Sequence, residues 1–487
     1  MRYPRLVDDP RTGKYWLGYV GKDSGSQLSR AYGADFVLKE LTGKEVCLPN
    51  ACGKLLAERS FSTMDINQIT AVVEAARAEQ VAFLQKMVQT ASLPDHEHEV
   101  QNLVAQKLKS LGLEVELIPS RFDELHHHPA FGDDGFSPTE RVNVVGRWRG
   151  TGSGAGHSLI LNGHVDVVPV GDPNLWNDSP WSGAVRDGRL YGRGACDMKA
   201  GLCAGIFAIQ ALQQLGDRPA RDVLVESVIG EESGGIGTLT TIIKGYTAEA
   251  ALLLEPTQLE ISPVQSGALT FRLTVPGHSI HAAMKPYGVS AIEKFTLLFQ
   301  AIQQLEAERH RAFKHDLYAD PNNIAPINIG TVRGGEWHST VPEEVVAEGR
   351  MGVLPGESNE AARQALDGAI QAAAQVDPWL SQHPPRLEWF EGQFESGQTP
   401  LDHPFLETLG AVHRQVTGVA PVWRGVPYGS DMRLFTNHAK IAATHYGPGD
   451  VGLAHAANEN VPLEEVLTVT KVVAKFIAEW CGSGDGS

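Results

Sequence analysis

Between Leu159 and Glu232 the chain sets an imidazole and several carboxylates at intervals that suit a metal ion. The apolar run Leu159 to Leu161 leads, in LILNGHVDVVPV, to His164 and Asp166. A buried strand that delivers His-x-Asp to its carboxyl end places it where open α/β sheets hold their sites. Asp197 lies in a Gly-rich turn, YGRGACDMKAG, just before a run of small residues from Ala200 to Ala211. The alternating stretch Val223, Val225, Val228 ends at the adjacent pair Glu231 and Glu232. Farther on, the run AALLL ends on Glu255, and His455 stands in the Gly-rich loop GPGDVGLAHAANENVP. Imidazole together with carboxylates suits zinc and its neighbours, whereas carboxylates alone would suit calcium or magnesium.

Two zinc ions about 3.5–4 Å apart can share a bridging carboxylate and a bridging water. Two imidazoles and three carboxylates nearly neutralise such a pair and leave it Lewis acidic. A water between the ions has its pKa drawn towards neutrality and becomes a hydroxide nucleophile. One carboxylate must stay off the metals to take that proton and pass it to the leaving nitrogen. In the pair Glu231–Glu232 one residue can bind metal while the other faces the water. Asp166, two residues from His164, is placed to orient that imidazole. Each piece taken singly has a plain structural explanation: His-x-Asp after a strand is common, and an acidic pair beside glycine is usually a solvated turn. The metal reading rests on their joint occurrence at successive strand ends, where surface charge has no reason to concentrate.

These residues need a scaffold, and the alternation of apolar runs with helical periods supplies one. Helical spacing runs from Asn67 to Thr90, and a second helix follows Asp95, a candidate cap, up to Gly112. Strands at 113–118, 142–145, 159–161 and 250–254, with the small-residue helix after Gly192, predict an α/β sheet with a strong parallel component. After Gln265 the order becomes βαββαβ, that of a ferredoxin-like sandwich, before the α/β texture returns near Thr399. The expected organisation is an unassigned N-terminal extension (1–66), a metal domain in two parts (67–265 and 394–487), and an inserted domain (266–393).

The totals narrow the function classes. With 487 residues, 42% hydrophobic and 20% charged, the chain has the composition of a globular protein of two to three units. A net charge of −17 argues against nucleic acid and anionic membrane as partners. The five cysteines form no CxxC pair, and their odd number fits a reducing compartment. Cys47 and Cys52, without a second pair nearby, read as thiols rather than as a metal knuckle. The start carries no apolar signal region, and no apolar run suggests a membrane span, so the cytoplasm is the expected location. His126, His127 and His128 fall in a polar loop and read as solvated.

The stretches GHVDVVP, YGRGACDMKAG, GEESGG and LLLEP, continuing through GHSIHAA, GTVRGG, YGSDMRLF and GPGDVGLAHAANENV, resemble the dinuclear-zinc hydrolases that include acetylornithine deacetylase, succinyl-diaminopimelate desuccinylase, aminoacylase and glutamate carboxypeptidase. The resemblance runs from about residue 67 to the end, in family order. It implies a zinc-peptidase-like catalytic domain, with a mixed sheet and helices on both faces, carrying an inserted α+β lid that also dimerises. By this resemblance His164, Asp197 and Glu255 would hold one zinc, and Asp197, Glu232 and His455 the other. Glu231 would be the general acid/base, Asp166 the support of His164, and His281 a lid histidine reaching the scissile carbonyl from the partner subunit of a homodimer. Arg433 would meet a substrate carboxylate. Ser339, in GGEWHSTVP, stands where the family usually has a substrate-contacting Asn. The resemblance also implies a cis peptide between Asp197 and Met198. The implied reaction is hydrolysis of an N-acyl amino acid amide, with two Zn2+ or substituting Co2+. A carboxypeptidase or dipeptidase is the near alternative, and a non-catalytic binding homologue is a third reading that the retained ligands oppose.

Overall fold

The computed structural model describes residues 4–9, 14–19, 64–133, 135 and 141–484. The chain divides into two compact units, Met1–Thr63 and Met64–Ser487. In the first, strands Pro4–Asp9 and Lys14–Tyr19 pair antiparallel. Cys47 and Cys52 lie outside the described residues.

The second unit is built on a nine-stranded mixed sheet. Across it run Gly397–Gln398, Ile261–Gln265, Ala442–His445, Ala250–Leu253, Leu159–His164, Val223–Val228, Arg141–Trp148 and Glu114–Ser120, with Trp423–Val426 beside Ile261–Gln265. The central strands Ala442–His445, Ala250–Leu253, Leu159–His164 and Val223–Val228 are mutually parallel. The last three are buried throughout, which is why they read as near-continuous apolar runs. Parallel strands end at the same edge of a sheet. His164, the Glu231–Glu232 pair and Glu255 therefore emerge side by side, and the loop carrying His455 leaves the fourth strand there too.

Packed on this sheet is the helix Ala200–Gln214, buried along almost its whole length. The segment Ala195–Gln214 is long and apolar enough to cross a membrane by composition, contrary to the sequence expectation, but its most apolar 18-residue stretch is 94% buried within the protein. It is a core helix whose small residues let it approach the sheet. At Gly201 a Cβ would lie 1.8 Å from the carbonyl oxygen of Leu254. Gly201→Ala should therefore push helix and strand apart just before Glu255. The expected cost is about 1–3 kcal/mol or more, read as a lower urea midpoint at unchanged slope, together with a reduced metal content.

The inserted βαββαβ segment forms its own antiparallel sheet, in the order Ile327–Gly334, Glu344–Val353, Gly267–Pro276, Arg386–Phe394. Its two helices, Ala291–Ala312 and Asn359–Gln375, start at Ser290 and Ser358, whose side chains accept from Glu293 N–H and Ala361 N–H. Such caps contribute typically about 1 kcal/mol each. Leu298 and Ile302 of one helix and Leu366 and Ile370 of the other share a separate core with Leu269, Phe271 and Leu273 of the sheet. The fold class is thus a mixed α/β sheet carrying an α+β insertion.

Local differences from the sequence reading have physical reasons. The expected helix over 67–90 is two helices, Ile66–Ala75 and Arg77–Gln89, broken at Ala76 with ψ −3°. Buried Val73 and Gln80 are seven residues apart, so the helical period runs across the break without a mark. The next helix, His98–Ser110, starts after Glu97 rather than at Asp95, which sits in a left-handed turn with φ 68°.

Candidate metal centre

His164 closes its strand with its ring only 1% exposed. Its Nδ1 lies 2.9 Å from the backbone carbonyl of Asp166, which can only accept, so the proton sits on Nδ1. That leaves Nε2 as the free ligand nitrogen, 3.1 Å from Oδ1 of Asp197. The other oxygen of Asp197 is 3.5 Å from Nε2 of His455, which in turn lies 3.0 Å from Glu232 Oε2. Asp197 thus stands between the two imidazoles with one oxygen towards each. Two groups have all ligand atoms within 4.8 Å of one another: His164, Asp197 and Glu232, and His164, Glu231 and Glu255. The peptide Asp197–Met198 is cis.

Asp166 meets His164 more closely through its backbone than through its side chain. Its carboxylate is 3.7 Å from His164 Nδ1, while its oxygens accept the N–H groups of Glu231 at 3.3 Å and Glu232 at 3.2 Å. The backbone of Asp166 orients the imidazole, and its side chain fixes the acidic turn. The reason is geometric: the Asp166 carboxylate is drawn to the two N–H groups of the acidic turn, and its carbonyl lies closer to Nδ1.

The electrostatics show what this cluster lacks. Burial and the neighbouring carboxylates push Glu231 and Glu255 well above the usual carboxylate range, and Glu232 is raised for the same reasons. Burial also works against ionised Asp197, but hydrogen bonds and charge from His164 and His455 outweigh it and hold that carboxyl low. The bonds to Asp197 and Glu232 push His455 up to about 10. His164 is raised as well, its carboxylate neighbours overcoming burial. Four buried or nearly buried carboxylates, with the buried His164 and the exposed His455, are short of positive charge. Two divalent cations would supply it, and the donor set of imidazole plus carboxylate is that of zinc and its neighbours. The residues fit such a group.

A pH dependence follows. In the metal-free protein the raised groups stabilise the fold while protonated, and that contribution is lost as pH rises through their folded values. For His455 the loss begins near its ordinary value of about 6.5 and is complete above about 10. The raised glutamates act in the same direction from about pH 4.3 upward, whereas the opposite effect of Asp197 is confined below about pH 4. The Tm of metal-free protein should therefore fall between pH 6.5 and 10. Metal-loaded protein should show a flatter profile, because cations replace the protons. Parallel profiles for the two forms would contradict this.

Three of the sequence candidates are not among the ligand groups. His281 is exposed on the inserted segment, its Nδ1 accepting the N–H of Ala283 at 3.1 Å. Ser339 is its neighbour: the Ser339 carbonyl accepts the N–H of Ala282 at 2.9 Å, and its hydroxyl is 2.9 Å from His338 Nδ1. Arg433 is fully buried, donating to the carbonyls of Ala130 at 3.2 Å and Gly234 at 2.9 Å. Through Nη2 it braces the turn that follows Glu231–Glu232, while its Nε and Nη1 are buried without a hydrogen-bond partner among the described residues, Nη1 lying 3.8 Å from Glu395. His128 packs its ring 5.3 Å from that of His438.

The structure also brings in residues that the sequence reading passed over. Glu459 and Arg193 form a buried ion pair beneath Asp197. Tyr428, in YGSDMRLF, carries a buried hydroxyl without a hydrogen-bond partner among the described residues. Glu459 and Arg193 both lie in motifs already noted, and a lone acid and a lone base among small residues near ligands were the available signal.

Comparison with known proteins agrees with this geometry. The model of peptidase family M20/M25/M40 matches residues 160–479. The N-formyl-4-amino-5-aminomethyl-2-methylpyrimidine deformylase of Halalkalibacterium halodurans is 29% identical over 442 residues, covering 86% of this chain and 99% of the relative. The acetylornithine deacetylase of Myxococcus xanthus is 28% identical over 352 residues, covering 70% of this chain and 85% of the relative. Among solved structures, a dinuclear metal-binding peptidase of the M20 family from Bacillus subtilis superposes with a TM-score of 0.55 at 16% identity, covering 83% of this chain and 98% of its own. The family model spans all the residues of the cluster, from His164 to His455, on a sheet that gathers them at one edge: the chain belongs to peptidase family M20/M25/M40, a family of metal-dependent amide hydrolases.

Proposed function

We propose that this chain is a deacylase that hydrolyses the amide of a small N-acylated amine, with an N-acyl amino acid as the first substrate class. The reading is carried by Glu231, a buried carboxyl beside the ligand cluster, 4.0 Å from His164 Nε2, with its pKa raised. A buried carboxyl that holds a proton more readily than usual, set beside the ligand cluster, is the kind of group that general acid–base catalysis of amide cleavage uses.

In this mechanism His164, Asp197 and Glu255 would hold one cation, and Asp197, Glu232 and His455 a second, zinc being the proposed ion. When bound, the cations supply Lewis acidity towards the scissile carbonyl and acidify an adjacent water. Asp166 fixes the turn through the N–H groups of Glu231 and Glu232 and so aims both carboxylates inward. Glu231 accepts the proton of the attacking water as its oxygen bonds to the carbonyl carbon. The same carboxyl then delivers that proton to the nitrogen as the C–N bond breaks, releasing acid and amine. His281, from the inserted segment of a second subunit, is proposed to donate to the developing oxyanion.

A second reading replaces the amino acid by an aminomethyl heteroarene. It is favoured by the match over 99% of the deformylase relative. Peptidase action stays open to the same chemistry, since water, cations and acid/base act on any amide presented to them. The test is a panel of N-formyl, N-acetyl and N-succinyl amino acids, an N-formyl aminomethylpyrimidine and dipeptides, assayed with zinc and with cobalt. Turnover confined to dipeptides would overturn the deacylase reading, and no turnover at all with metal bound would favour a binding role.

A further inference from the structure

We infer that the buried ion pair Arg193–Glu459 is a positioning device for the His455 side of the centre, so that the two cation positions depend on it unequally. The inference rests on the two-cation reading above. Arg193 Nη1 lies 2.6 Å from Glu459 Oε2, and the two side chains are 2% and 1% exposed. A pair buried this deeply adds little net stability over apolar residues of the same volume. Apart from Arg193 Nε, which has no hydrogen-bond partner among the described residues, its polar side-chain atoms are turned on the backbone of ligand-bearing loops.

The second carboxylate oxygen of Glu459 accepts the N–H groups of Cys196 at 2.9 Å and Asp197 at 3.1 Å. The guanidinium of Arg193 donates to the carbonyl of Pro169, on the loop after His164, at 3.2 Å. It also donates to the carbonyl of Ala456, next to His455, at 3.4 Å. The Glu459 carbonyl accepts the N–H of Gly192 at 2.9 Å. A single pair thus ties the turn of Asp197 to the loop of His455 across more than 250 residues of sequence.

The two halves of the centre need this tie to different degrees. His164 ends a central strand, and its ring is fixed by the Asp166 carbonyl. Glu255 follows another central strand and is 5% exposed. His455, by contrast, has a side chain 54% exposed and a backbone φ of 59°. Its loop is held by the ion pair and by Asn458, whose side chain accepts from Asn177 N–H at 2.7 Å and donates to the Leu175 carbonyl at 3.0 Å. Loosening Glu459 releases the loop of His455, while His164 and Glu255 keep their own anchors. The turn of Asp197, which both positions share, stays pinned through Lys199, whose Nζ donates to the Met87 and Thr90 carbonyls at 3.0 Å.

The experiment is a Co2+ titration of chelator-stripped protein, followed by visible absorption and by metal analysis after gel filtration. Wild type should take up two equivalents. In Glu459→Gln the first equivalent should bind within about threefold of wild type, while the second weakens by about 10–100-fold, the range for losing a group that supports a ligand. The absorption of the second step should change shape as well, because the geometry at His455 is altered. Asn458→Gly loosens the same loop from its surface, keeps a residue tolerant of positive φ and leaves the buried charges alone. It should weaken the second equivalent in the same sense, and it decides the question if Glu459→Gln does not fold. Equal weakening of both equivalents, or of neither, overturns the inference. Fewer than two equivalents in wild type refutes the two-cation reading itself, and the inference with it.

Discussion

Glu231→Gln should yield a folded, metal-loaded protein whose turnover is lower by about 10²–10⁴-fold, the usual loss on removing a general acid–base group. The substitution keeps the shape of the side chain, and the turn stays fixed because Asp166 bonds to the backbone N–H of residue 231 rather than to its side chain. Only the ability to take and return a proton is removed. The structure makes the competing possibility concrete, since Glu231 lies within ligand distance of His164 and Glu255. Metal analysis separates the two roles. A ligand lost would show as a lower metal content and a weaker affinity, with activity restored by excess metal. A proton carrier lost would show as full metal content with low kcat at saturating substrate and metal. Near-normal turnover with both cations bound would remove Glu231 from the mechanism.

Much of this centre was legible in the sequence because parallel strands buried on both faces leave an unusual signature. They are short apolar runs, and whatever polar residues follow them must gather at one edge of the sheet. His164, the Glu231–Glu232 pair and Glu255 were found that way, and the inserted βαββαβ order was read from the change of period after Gln265. What escaped was set by contacts that periodicity does not record. The ψ of Ala76 breaks a helix without disturbing its apolar spacing. Asp166 orients His164 with its carbonyl, an atom every residue has, while its carboxylate serves another turn. Arg433 reads as a substrate contact from its motif, and nothing in that motif says that its side chain also donates to the Ala130 and Gly234 carbonyls. Glu459 and Arg193 belong to separate motifs, and nothing local says that they meet.

Mixing Glu231→Gln with His281→Ala, each nearly inactive alone, should restore activity once subunits exchange. The reasoning begins at the inserted segment. Its outer strand, Ile327–Gly334, pairs on one side only among the described residues and is largely exposed, with Val332 51% exposed. An edge of this kind must be protected in some way, and pairing across a two-fold axis with a second copy would do so. Exposed apolar side chains crowd the same segment: Met284, Tyr287, Ile292 and Trp337. His281 stands among them with bonds only to its own segment, through Ala283 N–H and a bridge to Thr340. If it serves the centre of a second subunit, His281→Ala loses an oxyanion donor, a change of about 10²–10³ in kcat. In a heterodimer of the two variants, one site has intact Glu231 and receives intact His281, while the other has neither. Equal mixing gives heterodimers as half of the population, so about a quarter of wild-type activity should return. Exchange is checked by co-purification of differently tagged chains. Verified exchange without recovered activity would show that His281 does not act between subunits, and a monomer by light scattering would remove the two-fold arrangement altogether.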